Sequence, residues 1–153
     1  MAGQEAIAAI VTDRDARAPS VGVVAVADSR VAFADETVAP DAPDALLDAL
    51  LARWRPLPLP TTVERQLDAF GPAHVLPLLT RLRERMVASV SPHRSITATD
   101  AHQLAGIAGI LGFAEVGAAW EAVSRGCESD LADTRRTTRR AIAALDRSGF
   151  CAP

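Results

Sequence analysis

The chain contains no lysine, so each of its 16 basic residues is an arginine. A GC-rich coding sequence produces the same pattern, and no function follows from it. Strong charge of one sign is also missing. A formal net charge of -3 excludes both the basic footprint of a nucleic-acid binder and a polybasic membrane patch. No apolar run approaches the ~20 residues that span a bilayer. The start "MAGQEAIAAIV" has no basic stretch ahead of a long apolar core, so no signal peptide is expected. The two cysteines, Cys127 and Cys151, have no metal-ligand spacing and read as inert thiols. These absences predict a soluble cytoplasmic protein with reduced thiols and with neither nucleic acid nor membrane as partner.

What is present is apolar. At 153 residues and 49% hydrophobic content, the chain has material for one ordinary domain, or one domain with a small appendage. The strongest punctuation is "RPLPLPTT", Arg55 to Thr62, where three prolines at alternate positions each remove an N–H donor and bias the preceding residue toward extended backbone. A boundary at Pro60 divides the chain into residues 1–60 and 61–153. The first part carries five arginines against nine acidic residues, the second eleven against ten.

Before the boundary, "AIAAIV", "VGVVAVAD" and "RVAFAD" predict two or three short strands. "DAPDALLDALLARW" predicts a helix with Asp41 or Asp44 as N-cap and Leu46, Leu47, Leu50, Leu51 and Trp54 on one face. The segment thus reads as a small α/β unit. After the boundary every segment reads helical. "TTVERQLDAF" has Thr62 as candidate cap. "AHVLPLLTRLRERMVASV" places Val75, Leu78, Leu79, Leu82 and Met86 on one stripe, with Pro77 required to lie in the first turn. "ITATDAHQLAGIAGILGF", "AEVGAAWEAVSRG" and "SDLADTRRTTRRAIAALDRSG" complete the set, the last with Leu131, Thr134, Thr138, Ile142 and Leu145 inward. The fold class is mainly α: four substantial helices with short loops, predicting an antiparallel four-helix bundle.

Within "AHQLAGIAGILGF" one histidine stands among residues with almost no side chain. At about 100° per residue, Ala101, Leu104, Ala108 and Leu111 fall on one arc roughly opposite His102 and form a core face. Gly106 and Gly109 project within about 40° of the histidine, with Ala98 and Ala105 slightly farther round. The ring is therefore predicted to point outward above a bare floor. Each interior glycine costs about 1 kcal/mol of helix stability relative to alanine, so two on the exposed side suit a surface that another protein's backbone approaches closely. A surface histidine in an alanine-rich helix fits the spacing equally well. Close helix packing by Gly106 and Gly109 does not, because neither lies on the predicted core face.

The pattern of histidine, apolar residue at +2, glycine at +4, small residue at +6, apolar residue at +9 and glycine at +10, filled by His102, Leu104, Gly106, Ala108, Leu111 and Gly112, resembles the signature of the histidine phosphotransfer (HPt) domain. The resemblance covers roughly Thr61 to Gly149. It implies an HPt-type bundle in which His102 accepts a phosphoryl group from the aspartyl phosphate of a response-regulator receiver domain and passes it to the aspartate of another. Partners would be receiver domains, a hybrid histidine kinase, or both. Such a carrier needs no cofactor and no ATP site, Mg2+ being held by the receiver, and the sequence has neither a P-loop nor a kinase glycine loop. Neutral imidazole, with an ordinary pKa near ~6.5, suits the task as a nitrogen nucleophile.

Supporting and docking positions are then Gln103, Ala105, Gly106 and Gly109. Gln103 would bond a phosphoryl oxygen or simply be solvated. The family usually has lysine at +3, where this chain has Ala105, so Arg81, Arg83, Arg85 and Arg94 are candidates for the missing charge, against the plain alternative of a solvated arginine face. A module that docks a receiver or kinase without transferring phosphate is the competing reading. His74 and His93 lack glycine surroundings and are expected to face solvent, and "RRTTRR" lacks the aromatics of a nucleic-acid surface. The stretch Val21 to Trp54 faintly resembles the last strands and final helix of a receiver, with Ala39-Pro40 where a Lys-Pro pair would stand. A degenerate receiver remnant, an unrelated cap and a dimerising element all remain open.

Overall fold

Leu57 decides where the chain divides. Its N–H donates to the Arg140 carbonyl at 3.2 Å and its side chain is buried in the helical core, with Leu59 packed beside it. The proline segment consequently belongs to the second unit, and the division falls between Arg55 and Pro56, five residues ahead of the sequence boundary at Pro60. In this computed structural model residues 8–11, 23–26, 36–91, 95–127 and 131–150 are described, with side chains from residue 36 onward. The described part is mainly helical.

The first unit has three short strands, β1 (Ala8–Val11), β2 (Val23–Val26) and β3 (Glu36–Val38), in sheet order β1-β2-β3. β1 runs antiparallel to β2 with Ile10 opposite Val24, and β3 runs parallel to β2 with Thr37 opposite Ala25. The third strand is therefore "ETV"; "RVAFAD", where the sequence predicts it, lies outside the described residues. Helix α1 (Asp44–Arg53) closes on β3 through a small core of Val38, Leu50 and Trp54, and the indole Nε1 donates to Glu36 Oε1 at 3.2 Å. Neither Asp41 nor Asp44 caps α1. Its N-cap is Pro43, whose fixed φ prepares the first turn, while Asp44 sits within that turn. Of the predicted face, Leu46 is exposed, because α1 covers only one small cluster.

The second unit comprises α2 (Thr61–Phe70), α3 (Pro72–Val90), α4 (Ala98–Ile110), α5 (Ala114–Ser124) and α6 (Leu131–Ser148). α3 packs on α4 and α6, α5 packs on α4 and α6, and α2 lies against α3. Pro60, not Thr62, precedes α2 as N-cap; the Thr62 hydroxyl instead accepts from Arg65 at 3.2 Å. α3 starts at Pro72, one residue ahead of the segment read as helical, so Pro77 lies in its second turn, not the first turn the sequence requires, and withholds an N–H from the Ala73 carbonyl. The buried stripe of α3 runs through Val75, Leu79, Leu82 and Met86; Leu78 lies at its edge and is 52% exposed.

Trp120 of α5 is fully buried, and its Nε1 donates to the Thr138 hydroxyl at 2.9 Å, which donates in turn to the Thr134 carbonyl at 2.7 Å. This chain of donors satisfies the polar groups that α6 carries into the core beside Ile142 and Leu145. No helix among the described residues is long and apolar enough to cross a membrane.

Candidate functional site

The start of α4 is held by a reciprocal cap. Thr97 Oγ1 accepts from the Asp100 N–H at 3.1 Å, and Asp100 Oδ2 accepts from the Thr97 N–H at 3.4 Å. His102 follows two residues later. Thr97→Ala should therefore lower stability by about 1 kcal/mol, measured by denaturant unfolding, without altering any side chain at the histidine. The other end of α4 stops at Ile110, where Gly112 adopts φ +86° and the Phe113 N–H reaches back to the Ala108 carbonyl at 2.8 Å. A Cβ on Gly112 would stand 2.7 Å from Thr62 Cβ, so the turn is closed to side chains.

Between these ends, Ala101, Leu104, Ala108 and Leu111 are buried and His102 faces outward, its side chain 72% exposed. Gly106 and Gly109 are exposed, and a Cβ added to either would meet nothing within 4 Å. The surface next to the ring is bare backbone. Ala105 departs from the expectation of an exposed position: it is only 7% exposed. The reason is α5, which crosses α4 at Gly117. A Cβ there would lie 3.2 Å from the Ala105 carbonyl oxygen and 3.4 Å from the Gly109 nitrogen. The close approach of the two helices thus depends on Gly117, whereas Gly109, like Gly106, has no packing reason to lack a side chain.

One turn beyond Gly117, α5 presents Glu121. Its Oε2 lies 3.2 Å from His102 Nδ1, and its Oε1 accepts from Arg125 Nε at 3.2 Å and Nη2 at 3.1 Å. The Arg125 guanidinium, with a smaller contribution from His102, holds the Glu121 carboxyl below its ordinary range against an opposing desolvation effect. An ionised carboxylate only accepts hydrogen bonds, so the contact requires the proton on Nδ1. In the neutral ring this leaves the Nε2 lone pair free, on the atom farther from Glu121.

A depressed carboxyl stabilises the fold above its unfolded pKa, and that contribution is lost as pH falls through the lower folded value. The stability advantage of the wild type over Glu121→Gln should accordingly be present at pH 6 and fade below about pH 4.3. Chemical denaturation of both proteins across that range checks this. An advantage that persists undiminished at pH 2 would contradict the ionised contact.

Gln103 is exposed, and its Oε1 accepts from Arg85 Nη1 of α3 at 3.1 Å. Arg85 thereby reaches a residue adjoining the histidine. Arg83 is paired with Asp146 of α6 at 2.6 Å, Arg81 is exposed on α3, and Arg94 lies outside the described residues. His74 is exposed and takes its Nδ1 contact from the Phe70 carbonyl at 3.0 Å; His93 lies outside the described residues. Cys127 is exposed and free, and Cys151 is not among the described residues. Within the described part no group of three His, Cys, Asp or Glu is placed to hold a metal ion.

Compared with family models, curated proteins and solved structures, the chain matches none.

Sequence reasoning passed over three features of this surface. Glu121 shows a local spacing only toward Arg125, four residues on; its contact with His102, 19 residues away, leaves none. Ile110 had one: at eight residues from His102 it falls about 80° round the same helix, and it is 72% exposed. Its carbonyl accepts from Gln66 Nε2 of α2 at 3.0 Å, and Phe70, one turn after Gln66, is also exposed. Apolar surface is thereby available at the glycine end of α4.

Proposed function

We propose that this chain is a cytoplasmic phosphorelay carrier of the HPt type, shuttling a phosphoryl group on His102 between receiver aspartates. The observation that carries the reading is an exposed imidazole held at Nδ1 by an ionised glutamate, above two glycines that leave room for an approaching backbone. Four helices, α3 to α6, each packed on two others of the set, also support it.

The step balances without a cofactor of the carrier's own. The Nε2 lone pair attacks the phosphorus of a receiver's aspartyl phosphate, an N–P bond forms, and the P–O bond to the aspartyl carboxylate breaks as that carboxylate departs with the electron pair. The ring becomes cationic, and Glu121 stabilises it through the Nδ1 proton, the role a buried carboxylate plays behind a catalytic histidine. The reverse attack by another receiver's aspartate returns the ring to neutrality. Mg2+ belongs on the receiver in this scheme.

A second reading, a docking module that transfers nothing, is favoured by the commitments of the nearby cations: Arg125 is bound to Glu121, Arg85 to Gln103, and the +3 position is a buried alanine. Incubating the protein with phosphorylated receivers from its own genome separates the two. Acid-labile, base-stable label on this chain supports transfer, whereas stable docking without label supports the second reading.

A further inference from the structure

Arg125 closes α5 as its C-cap: its N–H bonds the Ala122 carbonyl at 3.1 Å, and Gly126 turns the chain away with φ +93°. A cation at this end of a helix is stabilising in itself. Its side chain, however, folds back one turn onto Glu121. Both prongs of the guanidinium fall on a single oxygen, Nε and Nη2 reaching Glu121 Oε1 at 3.2 and 3.1 Å, while Oε2 lies 3.2 Å from His102 Nδ1. A guanidinium fork commonly takes both oxygens of a carboxylate. Here it spends one and leaves the other for the imidazole. Among the described residues the Glu121 carboxylate meets no third partner.

We propose that Arg125 is a positioning residue for His102: by anchoring Glu121 it holds the neutral ring's proton on Nδ1, and so decides which nitrogen keeps its lone pair. The terminal torsion of a glutamate is broad, so without an anchor the carboxylate turns and Nδ1 loses its acceptor for part of the time. An unrestrained neutral imidazole carries its proton mainly on Nε2, and which nitrogen is protonated is set by the hydrogen bond the other makes. Arg125 also acts in the opposite sense, since its charge weakens the pull of Glu121 on the Nδ1 proton. That effect runs between side chains 70% and 72% exposed, where water screens it. The geometric restraint is not screened, and it prevails. The consequence for phosphoryl transfer, a free Nε2, rests on the carrier reading; the tautomer itself does not.

The experiment is nitrogen-15 NMR of the imidazole in the full chain at about pH 8.5, above the ordinary histidine range, with no phosphate donor present. The His102 signals are those lost in His102→Gln, and the shifts of the two ring nitrogens give the ratio of Nδ1–H to Nε2–H. The wild type should favour Nδ1–H. Glu121→Ala should lower the ratio about fivefold and Arg125→Gln about twofold, the upper end and the usual size for exposed pairs. Arg125→Lys, which keeps the charge at the helix end but loses the fork, should fall between Arg125→Gln and the wild type. A purely structural cation would leave the ratio alone, and far-UV circular dichroism should be the same for all of these chains. An unchanged ratio in Arg125→Gln, a ratio that rises because the carboxylate is freed for the ring, or a wild type that favours Nε2–H would overturn the proposal. The expected shifts in a chain that accepts no label from receivers would uphold it and sink the carrier reading alone.

Discussion

Replacing His102 with glutamine is expected to abolish acid-labile label entirely while leaving the fold in place. The ring is largely solvent-exposed and contributes one contact, to Glu121. Exposed substitutions of this kind stay within about 0.5 kcal/mol, and an exposed ion pair is worth no more than about 1 kcal/mol. Far-UV circular dichroism and unfolding midpoints should therefore overlay those of the wild type, and a docked receiver should still be retained. Label is lost because the side-chain amide has no nitrogen lone pair suited to attack phosphorus, whereas the Nδ1 of His74 faces a main-chain carbonyl and has no carboxylate behind it among its described contacts. Label that survives in His102→Gln would assign acceptance to another residue and sink the carrier reading.

Ala105→Lys is expected to destabilise the helical unit by on the order of 3 kcal/mol, combining overpacking with partial burial of an ammonium group. On the sequence alone the same substitution restores a cation that the HPt pattern has at this position. The structure reverses the expectation. α5 passes close enough that even a methyl group on Gly117 would be 3.2 Å from the Ala105 carbonyl, so a lysine here has to lift α5 or bend out along it. Because Glu121 sits on α5 one turn from that crossing, the His102 contact should be lost together with the stability. Thermal unfolding should show a midpoint lower by roughly 10 °C or more, taking about 4 °C per kcal/mol for a unit of this size. A variant as stable as the wild type, with stronger phosphohistidine formation, would mean that this side of α4 is open in solution.

These two residues also mark where the sequence is legible. The angular position of His102 follows from 3.6 residues per turn and nothing else, as does the burial of Leu104, Ala108 and Leu111. Thr134, Thr138, Ile142 and Leu145 of α6 are readable for the same reason. Ala105 is not, because at three residues from His102 it lies on a flank whose exposure depends on which side α5 chooses. That choice is made by Gly117, twelve residues away, and by the packing of Trp120 against α6. Glu121 escapes for a related reason: an ion pair across two helices leaves no trace in the spacing of either. The missed caps are a local failure of another kind. Pro43 and Pro60 begin α1 and α2 through backbone geometry, so the nearby Asp41, Asp44 and Thr62 were a misleading signal. Leu57 crossed the expected boundary because a proline-rich segment reads as a linker even where its leucines are bound into a core.

The chain's two tryptophans are divided one to each unit, Trp54 between α1 and β3 and Trp120 at the centre of the helices. Both indoles are shielded from water, yet their nitrogens face different acceptors, a carboxylate for Trp54 and a threonine hydroxyl for Trp120. Each unit therefore carries its own built-in fluorophore. A single Trp→Phe exchange silences one of them and leaves the emission of the other to follow its unit alone, so that the cooperativity between the small sheet and the helical unit becomes an optical measurement requiring no added dye.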